Sequence, residues 1–486
     1  MNIVIELMTE NSGAKISKYI YGQFSEHLGT GIYGGIYVGK KSSIKNVNGM
    51  RSDVVNALKE IHLPVLRWPG GLFADTYHWQ QGVGPQDKRQ LIVNTNWGDV
   101  VEDNAFGTHE YFELLRQLGA EAYINANVGS GTVQEMADWV EYMTRSGKSP
   151  MADLRQKNGQ REPWKLKFFG IGNESWGGGG HMRPEYYADV YRQYECFLPQ
   201  NNKKHPIYRS ACGPNVDDYN WTDKVVKYAG EYMDGISLHY YTLPTNDWHH
   251  KGSATNFPEG QWHSVIQKAG RMDELLTRHS TIMDKYDPEK RINLKVDEWG
   301  TWYDETPGTH EGFLQQQNTI RDAMVAAINF NIFHKHADRV KLTCIAQTVN
   351  VLQAMLLTKD DQMIKTPTYY VFDLYKNHMG ANVVQGIGKT PKDLTYTASQ
   401  KDNQLTISIA NTSINDSNEM TFKPQMNYSK IVSSYEIVGN KMDAHNTFEE
   451  PDNIVEKEFK DVLINKDGII KAKLAPMSVV TIVIEK

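Results

Sequence analysis

Eight apolar runs of strand length alternate with longer segments of helical periodicity between residues 19 and 375. They are IYGQFSE (20–26), PVLRWPGG (64–71), EAYINANVG (121–129), LKFFGIGNES (166–175), PIYRSACG (206–213), GISLHYY (235–241), INLKVDEWG (292–300) and KLTCIAQTVN (341–350). Repeated strand–helix alternation calls for a parallel sheet with helices on its faces. Eight repeats favour closure into a (β/α)8 TIM barrel over an open doubly wound sheet. No G-x-G-x-x-G follows the first run, so the usual dinucleotide signal is missing.

The intervening segments carry helix signals. In SDVVNALKEIH, Val54, Val55, Leu58 and Ile61 share a face, with Ser52 placed as N-cap. THEYFELLRQLG runs from Thr108 to a terminating Gly119, and TVQEMADWVEYM opens with Thr132 and Glu135 at capping-box spacing. After residue 375 the period changes: Leu405, Ile407 and Ile409 alternate in NQLTISIANTS, and SYEIVG and APMSVVTIVIEK follow between polar turns. This predicts an antiparallel, jelly-roll-like β-sandwich. The expected domains are a barrel over 19–375 and a sandwich over 376–486 joined by residues 1–18, whose Ile3, Ile5 and Leu7 alternate as a strand.

Composition narrows the function classes. Formal net charge is −6 over 486 residues, with no Lys/Arg run, which argues against nucleic acid as a partner. No apolar run approaches the ~18 residues of a membrane span. The start MNIVIELMTENSG lacks a basic n-region, and Cys196, Cys212 and Cys344 lack metal or disulfide spacing. A cytoplasmic protein with reduced cysteines is expected. His249–His250 and the His334/His336 pair have no carboxylate or cysteine at ligand spacing, so no metal is expected.

Two of the eight runs end in a glutamate: Glu174 in GIGNES and Glu298 in KVDEWG. In a barrel the C-terminal strand ends carry the chemistry. Two carboxyl groups about 5–5.5 Å apart suit a retaining glycosidase: one attacks the sugar, the other moves the proton. Other strand ends add Ser25-Glu26-His27, Arg67-Trp68-Pro69-Gly70-Gly71, His239-Tyr240-Tyr241, Gln347 and Asn350. Acid, base, amide and phenol groups on one rim are what a polyhydroxylated ligand needs. Trp176 offers an apolar platform beside four glycines that make a side-chain-free rim, and Trp97 and Trp248 are sugar platforms or core. Trp299 reads as packing, Asn104–Gly107 as a loop before a helix, and His239 as a hydrogen-bond partner. Asp297 is expected to face away from the pocket, because strand neighbours point oppositely.

YGQFSEHLG, LRWPGG with YHW, NAFGTHE, GIGNES, LHYY, DEWGTWY and QTVNVLQAM occur in this order along the barrel. As a set they resemble the glycoside hydrolase family 51 α-L-arabinofuranosidases, a group of retaining (β/α)8 enzymes. The resemblance implies Glu174 as acid/base and Glu298 as nucleophile. It implies Asn173 on the sugar's 2-hydroxyl, Glu26 and Gln347 on further hydroxyls, Tyr241 orienting the nucleophile, Trp302 as an aromatic wall and Arg67 near Glu298. The implied reaction is exo-removal of terminal arabinofuranose from arabinan or arabinoxylan oligosaccharides, without a cofactor, by a homo-oligomer, commonly a hexamer. The alternatives are a β-xylosidase or β-glucan hydrolase on the same scaffold, or a non-catalytic sugar-binding barrel.

One position departs from the family pattern. Where many members carry a polar residue, often asparagine, after the strand-2 glycines, this chain has Leu72. A lost neutral hydrogen bond is worth roughly 0.5–1.5 kcal/mol, up to about tenfold in binding. If Leu72 lines the subsite and relaxes glycone choice, Leu72→Asn raises the arabinoside-to-xyloside ratio of kcat/KM. An unchanged ratio rules that role out.

Overall fold

The computed structural model describes residues 3–11, 13–201 and 204–486. Eight parallel strands close into a barrel: β1 (Gly22–Phe24), β2 (Val65–Trp68), β3 (Glu121–Ala126), β4 (Leu166–Ile171), β5 (Tyr208–Ala211), β6 (Gly235–Thr242), β7 (Asn293–Thr301) and β8 (Val340–Ala346). Closure comes from β8 pairing with β1, Cys344 opposite Gly22 and Ala346 opposite Phe24. Each of the eight apolar runs supplies one strand.

Alternation along the strands sorts two apolar layers. Phe24, Val65, Tyr123, Phe168, Leu342 and Cys344 fill the barrel interior. Their neighbours Leu66, Trp68, Ile124, Phe169, Ile236 and Leu294 face the helical shell. The shell helices end where their sequence signals place them. Gly119 caps Thr108–Leu118 in the left-handed conformation, which glycine adopts without a Cβ clash. Thr132 accepts from the Glu135 amide. The Glu135 side chain does not complete a capping box; it turns to His78, 3.0 Å away. Ser52 is the first helical residue rather than the cap, because Arg51 occupies that position and pairs with Asp53 at 2.8 Å.

Two further sheets pack on each other. One has six strands around Leu394–Lys401, Gln404–Asn411 and Ser478–Glu485; the other has five, with Ile3–Leu7 between Gly386–Ile387 and Asn418–Pro424. Ile5, Ile407, Phe422 and Ile482 lie in the core between them. The second sheet is mixed rather than antiparallel, since Ile3–Leu7 runs parallel to Asn418–Pro424. No hairpin ties this strand to its partner, so neither direction is imposed.

Helix Ile320–Lys335, buried along nearly its whole length, joins barrel to sheet. Its His334 bonds Tyr21 Oη at 2.9 Å on the barrel side and Thr397 Oγ1 at 3.2 Å on the sheet side. His378 bonds Ser399 and Ser408 at 2.6 and 2.9 Å. Both histidines are thus structural. Burial pushes His334 well below its ordinary pKa and His378 down to about 3. The unfolded chain therefore takes up these protons first, near pH 6.5. Their contribution is fully present above that pH and is lost as pH falls below it, for His378 down to about 3. The unfolding free energy from urea titrations is expected to fall below pH 6.5 by up to about 1.4 kcal/mol per pH unit per histidine, and His378→Gln to flatten the slope.

Candidate active site

Arg67, on β2, is buried beneath the C-terminal rim of the barrel. Its Nη1 donates to Glu298 Oε1 at 2.7 Å and its Nη2 to Asn173 Oδ1 at 2.6 Å, while Nε lies 3.7 Å from Asp297 Oδ2. One guanidinium so links β2, β7 and the loop after β4. Glu298 Oε2 accepts from Tyr241 Oη on β6 at 2.9 Å. Burial, then the Glu298 and Glu174 charges, raises the Tyr241 phenol well above its usual range, so it stays a donor.

Asp297 corrects the sequence expectation. It is buried inside the barrel, bonded to Tyr123 Oη and to His239 Nε2 at 3.2 Å. Strict alternation would send Asp297 and Glu298 to opposite faces. The pairing slips instead: Ser237 faces Lys295, but His239 faces Glu298, and a second slip on the β8 side lies between Val296 and Trp299. This β-bulge turns two successive carboxylates inward. Trp299 returns to the outer layer, donating to Thr343 Oγ1 and packing on Phe330 and Phe333, as expected for a core tryptophan.

Glu174 reaches the site by a different route. Strand β4 ends at Ile171, and both Gly172 and Glu174 have positive φ, 86° and 44°. For a glutamate this is an unfavourable conformation of the kind found at functional sites. It brings Glu174 Oε1 to 2.8 Å from His239 Nδ1. Ligand atoms of Glu174, His239 and Glu298 all lie within 4.8 Å of one another. Burial would lower the His239 pKa, but Glu298, Asp297 and Glu174 together push it up to about 10. The ring bridges Glu174 through Nδ1 and Asp297 through Nε2.

The remaining predicted residues converge here. Glu26 Oε1 accepts the Gly71 and Phe73 amides, each at 2.9 Å, and Gln347 Nε2 donates to Oε2 at 3.3 Å. Burial, then the Glu298 charge, raises Glu26 to about 7. Gly71 matters for what it lacks, because a Cβ there would lie 2.8 Å from Glu298 Oε1. Leu72, Trp302, Tyr241 and Gln347 line the pit with Glu26, Asn173 and both catalytic candidates. Asn173 Nδ2 and Trp302 Nε1 are buried there without a hydrogen-bond partner among the described residues.

Some expectations are not met. Trp176 donates to the Gly213 carbonyl and packs on the core, so it forms no platform. The glycines after it permit close packing rather than an open rim: a Cβ on Gly179 would lie 2.1 Å from the Asn173 carbonyl. Asn350 turns away to Thr30 and Thr358, and His27 stacks on Phe73 and Tyr77. Trp97 does line the pit, while Trp248, half exposed, stands edge-on to Trp302. Leu28, Leu314 and Leu352 also line it. Nothing in their local sequence separates them from core leucines.

Comparison with known proteins agrees with this geometry. Models of the α-L-arabinofuranosidase 1 domain and of the α-L-arabinofuranosidase C-terminal domain match residues 57–254 and 297–478. An intracellular exo-α-L-arabinofuranosidase of Bacteroides ovatus is 49% identical over 96% of this chain and 92% of its own. The chain belongs to the glycoside hydrolase family 51 α-L-arabinofuranosidases. The crystal structure of the family 51 arabinofuranosidase from Xanthomonas axonopodis pv. citri superimposes with a TM-score of 0.97 at 44% identity, covering both chains fully. That of the Thermotoga maritima enzyme in complex with arabinose gives 0.88 at 30%, again over both whole chains.

The enzyme's buried charge cluster generates a prediction. Asp297→Leu leaves His239 and Tyr123 without their shared hydrogen-bond partner and Arg67 without one of its two carboxylates. Breaking a buried ion pair from one side costs about 3–5 kcal/mol, so the urea midpoint should fall markedly. A variant of parental stability would show that Asp297 does not hold the cluster.

Proposed function

We propose that this enzyme is a retaining, exo-acting α-L-arabinofuranosidase in which Glu298 is the nucleophile and Glu174 the acid/base. The carrying observation is the close approach of the two carboxylates, within 4.8 Å. A separation near 5 Å suits double displacement, whereas inversion needs roughly 6.5–9.5 Å to admit a water. Partners separate the two roles. Glu298 is held by Arg67 and Tyr241 on both oxygens, which fixes the orientation a nucleophile needs. The Glu174 side chain is less buried and, among the described residues, bonds only to His239 through Oε1, leaving an oxygen for a leaving group.

In the first step a Glu298 oxygen attacks the anomeric carbon. The bond to the leaving oxygen breaks as Glu174 gives that oxygen its proton. In the second step Glu174 takes a proton from water, the water oxygen attacks the same carbon, and the ester to Glu298 breaks. Arabinose leaves with its configuration retained. Asn173 Nδ2 and Trp302 Nε1 are donors ready for sugar hydroxyls, and Glu26 with Gln347 holds the far side. The pit measures only about 60 Å3, too little for a continuous chain, and a single terminal ring would enter it only by displacing part of its side-chain lining. Its substrates would be arabinose-containing oligosaccharides. The Bacteroides ovatus relative is an intracellular enzyme, which supports a cytoplasmic setting, and light scattering tests the hexameric assembly.

Glu298→Ala should abolish release of nitrophenol from nitrophenyl arabinofuranoside. Glu174→Ala should lower kcat about 10²–10⁴-fold on natural oligosaccharides, but far less on the nitrophenyl substrate, whose leaving group needs little protonation. A first-formed product of inverted configuration by NMR, or equal losses on both substrates for Glu174→Ala, overturns the assignment. A nitrophenyl xyloside hydrolysed faster than the arabinofuranoside overturns the glycone.

A further inference from the structure

At the end of the barrel opposite the catalytic pit lies a basin of about 790 Å3. It sits among the N-terminal ends of the strands: Pro64 precedes β2, Gly119 precedes β3, and Lys341 begins β8 after Val340. Lys15, Lys18, Lys59, Lys341 and Lys401 converge on it together with His62. No carboxylate shares its lining among the described residues.

The lysines arrive from separate parts of the chain. Lys15 and Lys18 lie on the segment entering β1, Lys59 on the last turn of helix Ser52–Glu60, and Lys401 at the end of sheet strand Leu394–Lys401. Two have local explanations. A helix C-terminus favours the Lys59 cation, and Lys341 donates to the Ala337 carbonyl. The ammonium groups of Lys15, Lys18 and Lys401 form no ion pair among the described residues, although Lys18 rests 5.1 Å from the Tyr19 ring centroid. Of the acids nearby, Asp338 pairs with Lys290, Glu121 begins β3, and Asp402 lines the adjoining hollow.

In a chain of net charge −6, such a cluster repels itself and is relieved by a bound anion. Ile16, Leu63, Leu118 and Met379 give the basin an apolar floor. A second hollow of about 440 Å3 continues it, sharing His62, Met379 and Lys401 and adding Lys376 and Asn403; Asp402 is its one carboxylate among the described residues. The volume is that of a small-molecule site, far more than a bare ion needs. Lysines bind phosphate as point charges, and an apolar floor suits a ring or carbon skeleton.

We infer that this basin binds an organic phosphate, with the phosphoryl group among Lys15, Lys18 and Lys401 and the carbon skeleton on the apolar floor. The occupant bridges the barrel, through Lys59 and Lys341, and the six-stranded sheet, through Lys401. It touches no residue of the catalytic pit.

Calorimetric titration and thermal unfolding of the full chain test this, with ATP, ribose 5-phosphate and inorganic phosphate as probes at constant ionic strength. At least one ester should bind saturably, more tightly than inorganic phosphate, and raise Tm. Tighter ATP assigns the site to nucleotides; tighter ribose 5-phosphate assigns it to sugar phosphates. Lys15→Ala/Lys18→Ala/Lys401→Ala should weaken binding by about tenfold or more and leave nitrophenyl arabinofuranoside hydrolysis unchanged. Lys401→Glu alone, at an exposed turn, should also weaken binding and guards against misfolding of the triple variant. The proposal is overturned if no ester binds saturably, or if these variants bind as tightly as the parent. A change in assembly state without ester binding would make the basin a protein interface and would likewise overturn it.

Discussion

The Arg67 guanidinium is the interaction on which the rest of the site depends. It is buried under the barrel mouth, where an unpaired charge would cost several kcal/mol. Glu298, Asp297 and Asn173 meet it from two further parts of the barrel. Removing the arginine would leave the buried Glu298 carboxylate facing Glu26, a second one, and would strip Asp297 of its guanidinium. With it, Glu298 is oriented from one side by a cation and from the other by Tyr241. The Asn173 carbonyl oxygen is consumed in the same contact, which turns its amide nitrogen to the pit. The barrel's closure is thus used electrostatically, since only a closed sheet brings β2, β4, β6 and β7 to one centre.

The bulge on β7 is the second constraint. An unbroken strand would give the barrel one inward carboxylate here and send the other into the helical shell. The slip beside His239 supplies two, and each has its own work. Glu298 faces the pit, while Asp297 lies a layer below and holds His239 and Tyr123. His239 in turn stands between Glu174, Asp297 and Glu298, whose charges raise its pKa, and it ties the loop carrying Glu174 to β7. The positive φ at Glu174 is sustained by this bond and by tight glycine packing behind it.

Much of the fold was legible because its signals are local and repeated. The change from eight strand–helix units to period-two alternation after residue 375 marks two architectures, and each barrel strand coincides with an apolar run. Glu26, Arg67, Asn173, Glu174, Tyr241, Glu298, Trp302 and Gln347 all stand at strand ends or in the loops just beyond, so naming the strands named the rim. Trp176 and Asn350 stand at strand ends too, yet they point elsewhere. Proximity to a strand end places a residue near the mouth without fixing its direction.

The sequence by itself determined the eightfold alternation, the rim residues and the family, because periodicity and ordered motifs are properties of the chain alone. The tertiary structure decided the inward turn of Asp297, the raised pKa of His239, the leucines that line the pit and the five lysines that meet beneath the barrel. Each of these depends on which segments become neighbours after closure. Register slips, burial and convergence of distant residues are relations between strands, and a linear chain does not record them.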